Sequence, residues 1–437
     1  MSPELATLIL FGSLILFLVL GLPLAFTLGG VGVIGILLLW GPDGLMVAAS
    51  QLYAAMGKFT LLAVPLFIFM AMLLERAGVA DDLYTMMHRW MGGLRGGLAM
   101  GTVGICTVFA AMSGISGAAT SSMGVIALPE MLKRKYDKQI AIGCIAAGGA
   151  LGILIPPSVI MILYGVYTGE SIGAMFMGGV FPGLLLSALF IAYIGVRCWV
   201  QKNLGPPLSP EERVGWKEKL ISLRSVALPI VIVLMVLGSI YFGVCTPSEA
   251  AAMGVLGGVL SAAVYRRLNW SLIKEACYRT AGLTGMIIWI LAGAYCFTSL
   301  YTATGISDLL KNLLLEIPGG RYAVLVTIQL IFLILGCFLD PVGIIMITTP
   351  VFIPVIKALG FGTLWFAILF VVNMEMAYLT PPFGFNLFYM RAVAPPGTTM
   401  GDIYRSIFPF VLLQMLGLAL IIIFPQIALW LPQTMVK

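Results

Sequence analysis

Apolar residues in this chain form long unbroken runs instead of the alternation of a half-buried strand or the three-to-four spacing of a surface helix. Charge-free runs cover 5–42, 59–74, 96–129, 139–169, 171–196, 225–248, 250–265, 280–307, 322–339, 341–356 and 406–436. A helix of roughly 20 apolar residues crosses a bilayer. The pattern predicts spans near 5–22, 24–40, 59–75, 226–242 and 248–265, and about ten spanning helices over the whole chain. The run 96–129 lies between Arg95 and the Lys133 cluster. It is too short for two full spans and a turn, so it predicts a re-entrant helical hairpin reaching partway across. A second such hairpin is expected to turn at 339–343. The segment 81–90 is amphipathic and predicts a surface helix.

Two of the runs interrupt themselves. The stretch LGILIPPSV, 151–159, carries Pro156 and Pro157 side by side, and TPPFGFN, 380–386, carries Pro381 and Pro382. A proline within a helix costs roughly 3 kcal/mol or more, and hydrocarbon offers no water to repair the lost bond. The two breaks are related. Pro129 matches Pro354 at the same offset that relates the proline pairs. Gly78, Asp81, Gly92 and Gly93 match Gly305, Asp308, Gly319 and Gly320, and Phe181-Pro182 matches Phe408-Pro409, at a nearby offset. The span count puts 76–95 inside and its partner 302–321 outside, so the copies are inverted. Inverted repeats with interrupted helices at matching positions mark a secondary transporter with its site near the membrane midplane. A break frees carbonyl oxygens and half-helix ends for an ion or substrate.

Composition narrows the class further. Of 437 residues, 61% are hydrophobic and 10% charged, against about 25% charged in soluble proteins; no soluble domain fits. The net charge of +6 comes from basic loops, and no basic-aromatic segment points to nucleic acid. The clusters at 133–138, 197–224 and 266–279 are placed together on the cytoplasmic face by the positive-inside rule, which puts Met1 outside. The first span lacks a basic start and is read as retained rather than cleaved. Thr246-Pro247-Ser248-Glu249 is a capping box with proline at the first helical position. Ser209-Pro210-Glu211-Glu212 repeats that pattern and predicts a polar helix through about Ser222. The seven cysteines are scattered and read as small apolar side chains. The chain divides into 1–75 (N-terminal scaffold helices), 76–196 (first repeat), 197–279 (amphipathic connector and scaffold pair) and 280–437 (second repeat).

Candidate chemistry gathers at the hairpin turns and breaks. Hairpin one turns at 112–117 and is followed by Thr120-Ser121-Ser122. Its hydroxyls suit a hard cation such as sodium, and its small residues suit tight helix packing equally well. Asp340, at the second turn, is an acid at membrane depth, which costs about 2.5–3.5 kcal/mol on insertion scales and is a functional candidate by default. It could bind a cation, carry a proton, or cap the following half-helix. Glu375 is similarly placed and could pair with a neighbour; Asn386 offers an amide oxygen. No lysine or arginine within a span marks an anion pocket. Gly30-x-Gly32-x-x-Gly35 matches a dinucleotide fingerprint, but no strand precedes it, so helix packing explains it better. His88, the sole histidine, is expected at the surface. An intramembrane enzyme is disfavoured: no His-Glu-x-x-His zinc helix is present. A channel is disfavoured because the repeats predict alternating access.

The stretches AAMSGISGAATSSMGVIALPEMLKRKYD, GGALGILIPPSVIMILYGVYTGESIGAMFMGGVFPGLLL, GCFLDPVGIIMITTPVFIPVIKALG and NMEMAYLTPPFGFNLFYM together resemble the large membrane subunit of the TRAP (tripartite ATP-independent periplasmic) transporters. The resemblance implies an all-α polytopic membrane protein with elevator-type scaffold and transport domains. It implies sodium-coupled uptake of an organic acid anion, carboxylate or sulfonate, across a bacterial inner membrane, without a cofactor beyond Na+ as coupling ion. It also implies a small four-helix membrane subunit and a periplasmic substrate-binding protein as partners. By the family pattern one sodium site falls at Ser113, Ser116, Gly152, Pro156 and Ser158, and the other at Asp340, Gly343, Thr380, Pro381 and Asn386. Thr120, Ser121, Pro157 and Pro382 are the expected substrate contacts. The runner-up is a self-sufficient carboxylate or anion carrier of a related inverted-repeat fold.

Overall fold

Long apolar runs with few polar groups leave the backbone one way to satisfy its own N–H and C=O groups in lipid, and the chain takes it: it is all helix, with no strand among the described residues. The computed structural model describes residues 2–382 and 384–436, and Ser225 by its backbone only. Met1, expected outside, and Phe383 of the second break are not among the described residues. Helices α1 (Pro3–Val19) and α2 (Leu24–Trp40) lead into a shorter α3 (Gly44–Met56), and a 3-10 turn (Phe59–Leu62) opens α4 (Ala63–Arg76). The amphipathic α5 (Val79–Met91) precedes hairpin one, α6 (Gly97–Ser113) and α7 (Ser116–Lys133). Next comes the first broken helix, α8 (Lys138–Ala150) and α9 (Val159–Thr168), and the long α10 (Ile172–Val200). A connector with α11 (Trp216–Ser222) leads to the pair α12 (Arg224–Tyr241) and α13 (Pro247–Val264).

The second half repeats this order. Helix α14 (Trp270–Ala303) precedes the amphipathic α15 (Ile306–Leu315), and hairpin two is α16 (Gly320–Gly336) and α17 (Pro341–Ala358). The second broken helix is α18 (Thr363–Ala377) and α19 (Phe385–Val393), followed by α20 (Met400–Ile423) and α21 (Gln426–Thr434). Elements α5–α10 thus correspond to α15–α20, and each break carries a cis proline pair, Pro156-Pro157 and Pro381-Pro382. The copies run in opposite senses. Leu204, just past the end of α10, accepts a bond from Asp137 N at 2.9 Å, so α10 ends at the Lys133–Lys138 surface (133–138). Lys138 pairs with Asp402 at 3.1 Å, so the equivalent α20 begins at that surface.

That surface collects the basic clusters. Arg134 Nη1 meets Glu212 at 2.8 Å, Trp90 Nε1 donates to Lys219 O at 3.0 Å, and Arg267 Nη1 meets Asp82 at 2.9 Å. The three clusters therefore share one face, as the positive-inside pattern expects. Among the described residues, by length and hydropathy, six helices can cross a bilayer, or seven if the bent α11–α12 pair counts as one; the six include α17, which the repeat pairs with the hairpin arm α7. Helices α1 and α2, at 17 residues each, are at the short end of a span.

The Gly30-x-Gly32-x-x-Gly35 segment is a packing seam. A Cβ on Gly32 would stand 2.6 Å from the Cys296 and Phe297 backbone, and one on Gly35 would meet Leu300. Small residues let helix backbones approach in lipid, and here they seat α2 on α14.

Three expectations change. The predicted polar helix from Ser209 is a 3-10 turn, Pro210–Glu212, separated from α11 by extended Arg213 and Gly215. Arg213 Nε folds back onto Leu208 O at 3.1 Å, and Glu212 is drawn to Arg134, so the box there is incomplete. The box at Thr246 and Glu249 forms in full. Helix α3 was not expected: the charge-free stretch 44–57, between Asp43 and Lys58, is too short for a span. Helix α14 starts well before the charge-free run, because Asn269 caps it through Leu272 N at 2.8 Å, and Glu275 and Arg279 lie on its first turns.

Candidate functional site

Hairpin one meets the first break directly. Helix α6 ends at Ser113 and α7 begins at Ser116, with Gly114 between them at φ 62°. That left-handed conformation suits glycine, and a side chain would also collide with the Pro157 carbonyl, 2.3 Å from an added Cβ. Across the contact, a Cβ on Gly152 would stand 2.9 Å from the Ile115 carbonyl and 3.0 Å from Ser116 Cα. Ser158 Oγ donates to Ile153 O at 2.5 Å, bracing the irregular turn. Among the described residues the Pro156 and Pro157 carbonyls accept no hydrogen bond from the chain. Ser113, Ser116, Gly152, Pro156, Pro157 and Ser158 are all buried. The structure therefore gathers the whole first set at one place, with hydroxyl and carbonyl oxygens but no charge.

The second set includes an acid. Asp340 caps α17: its carboxylate accepts from Val342 N at 2.9 Å, and it lies close enough to the Tyr378 and Tyr389 phenols to act on them electrostatically. Gly343 packs against Leu24 of α2. Thr380 Oγ1 donates to Met376 O at 2.8 Å, while Pro381 and Pro382 are exposed. Asn386 is fully buried and spoken for by the other repeat. Its Oδ1 accepts from Thr120 Oγ1 at 2.8 Å, and its Nδ2 donates to Ala146 O at 2.6 Å. Among the described residues no hydrogen bond joins Asp340 to Thr380, Pro381 or Asn386. Thr120, an expected substrate contact, is completely buried; Ser121 beside it is half-buried.

This exchange follows from the repeat. Helix α19 packs on α7, and its counterpart α9 packs on α17, so each half-helix past a break supports the other copy's hairpin. Tyr389 of α19 presses its ring on Gly117 of α7. Glu375, deep in α18, accepts from Gln414 Nε2 at 3.1 Å, a neighbour pairing. His88 is half-buried.

One feature escaped the sequence. A cavity of 730 Å³ opens between α2, α3, the end of α9, α14 and α17. Its α17 wall, from Thr349 to Pro354, starts roughly 14 Å of helix rise beyond Asp340. Lys58, exposed just ahead of the run 59–74 and so outside the spans, lines it.

Residues 11–427 match the family model described as "Tripartite ATP-independent periplasmic transporter, DctM component". The chain is 34% identical to the C4-dicarboxylate TRAP transporter large permease protein DctM of Vibrio cholerae, covering 98% of this chain and 97% of that one. It is 33% identical to the ectoine TRAP transporter large permease protein TeaC of Halomonas elongata, covering 97% and 98%. Among solved structures it shares the fold of the Alcanivorax borkumensis YdaH transporter, with a TM-score of 0.60 at 14% identity over 96% of this chain and 98% of that one.

Proposed function

Because the chain belongs to the DctM component family of the tripartite ATP-independent periplasmic transporters, and is thus a multi-pass transporter component of the bacterial inner membrane and not an enzyme, we propose that it imports a small organic acid anion by sodium symport. The anion arrives on a periplasmic binding protein, and a small four-helix membrane subunit completes the carrier. Relatives named for C4-dicarboxylates, ectoine and isethionate support a small polar, acid-bearing substrate. The observation that carries sodium is the contact of hairpin one with the first break: neutral oxygens, no charge, and carbonyls unclaimed by the chain. A hard cation selects such oxygens. The hairpins and broken helices would move as one block, since backbone without full bonding survives in lipid only while protein or a wet cavity covers it.

Reconstitution tests this. The chain and its small subunit are placed in liposomes with the cognate binding protein, whose ligand is first found by thermal-shift screening. Uptake should need both an inward sodium gradient and the binding protein. Uptake driven by a pH gradient in sodium-free buffer would replace sodium with protons; uptake without the binding protein would favour the self-sufficient carrier.

A further inference from the structure

The 730 Å³ cavity lies on the side away from the basic face. Helix α8 starts at that face, beside Asp402, and α9 continues across the break to Thr168, which lines the cavity. The cavity therefore opens toward the periplasm, and its volume falls within the roughly 300–1,000 Å³ of small-molecule sites.

Its lining is one-sided in charge. Among the described residues Lys58 is the one charged side chain there, and the other polar groups are neutral, among them Gln51, Tyr295, Ser299 and Thr302. Lys58 is held in position: its Nζ donates to Val166 O, near the end of α9, at 2.7 Å. A cation suits a helix C-terminus, and an ammonium carries three N–H donors, so two remain. Ser299 Oγ shares its one proton between Gln51 Oε1 and Tyr295 O, both at 2.8 Å, and the Gln51 amide, with two N–H donors, keeps at least one for an incoming group. The Tyr167 and Tyr295 rings, 5.9 Å apart, form an apolar wall. An anion entering this space meets donors and a positive charge, with no acid lining it. A cleft lined by one sign of charge concentrates the opposite ion about 10- to 1,000-fold.

We propose that this cavity is an entry subsite that first holds the carboxylate or sulfonate of the incoming organic anion, with Lys58 as its cation and the Gln51 amide as a second donor. This rests on the organic-anion reading above. Because Val166 belongs to the block taken to move, the Lys58 bond breaks when that block travels inward, and the subsite is complete only in the outward state.

The test reads local charge without requiring transport. The full chain, with its native cysteines replaced and Thr302→Cys added, is labelled in intact cells. Two membrane-impermeant thiosulfonates are compared, one bearing a sulfonate and one a trimethylammonium group. Thr302 suits the label because its hydroxyl returns to Thr298 O, at 2.6 Å, on its own helix. The anionic-to-cationic rate ratio should fall about tenfold in Lys58→Met and Lys58→Gln and be kept in Lys58→Arg. Only membrane-inserted chain is labelled, so a poorly folding variant leaves the other neutral one to decide. An unchanged ratio in both neutral variants overturns the subsite. So does a cysteine that reacts only after the cells are permeabilised, because the cavity would then not face outward. Labelling needs neither sodium nor the binding protein, so a failure of sodium coupling in liposomes would leave this result standing, and the reverse holds too.

Discussion

Asp340 caps α17 and is proposed as a sodium ligand, and substitution can part the two roles. Its carboxylate caps α17 through Val342 N, and its charge is what an ion would use. Asparagine caps a helix as well as aspartate does. Asp340→Asn should therefore keep the melting temperature and lose sodium-dependent uptake, whereas Asp340→Ala should lose both. Wild-type sodium dependence in Asp340→Asn would reduce the residue to a cap. Thr120 is the other telling position. Thr120→Val leaves the buried Asn386 oxygen without its donor, at a cost of roughly 1–3 kcal/mol, and Thr120→Ser should restore it; thermal unfolding in detergent measures both. An acid among apolar runs announced Asp340 in the sequence. Nothing local announced that Asn386 would answer to Thr120, because the two stand 266 positions apart.

Among the elements, the α2–α14 seam makes the sharpest comparison. Gly32→Ala drives a methyl into the Cys296–Phe297 backbone and should destabilise by about 1–3 kcal/mol. Gly30→Ala, with no atom within 4 Å of the added Cβ, should be neutral or slightly stabilising, since alanine is the better helix former. Equal melting shifts for the two would refute the seam. The connector offers a pH test. The hydrogen bond and charge of Arg134 pull the Glu212 carboxyl down from its ordinary 4.5 to about 2. A depressed acid stabilises the folded form above its unfolded value and loses that contribution as pH falls through the folded one. Exchange protection across 203–215 should thus be flat between about pH 6 and 8, weaken from 4.5 toward about 2, and be weaker throughout in Glu212→Gln. Protection unaffected by that substitution would show that the pair does not hold the connector.

At the scale of the molecule, the proposed rigid-block motion predicts which contacts break. Gly343 of hairpin two touches Leu24 of α2, a contact between block and scaffold, while Gly124 of α7 touches Val393 of α19 within the block. A Leu24→Cys/Gly343→Cys pair should crosslink outward and lose the crosslink inward, whereas Gly124→Cys/Val393→Cys should crosslink in both states. Persistence of the first pair in both states would mean local gating instead. The repeats would make such a block coherent, because each copy's second half-helix braces the other copy's hairpin.

The membrane class, the repeat, both breaks, the hairpin turns and the shared basic face were all legible in the chain. Each rests on a cost paid locally: hydrocarbon excludes charge, proline ends a helix, and basic loops stay in the cytoplasm. Folding decided the pairings. It set hairpin one on its own break and gave Asn386 to Thr120 and Ala146. It turned Gly343 toward Leu24 and brought Lys58 beside α14 and α17 to line a cavity. These depend on how helices far apart in sequence pack, and the apolar pattern carries no register for that, since lipid and protein neighbours are equally acceptable to an apolar side chain.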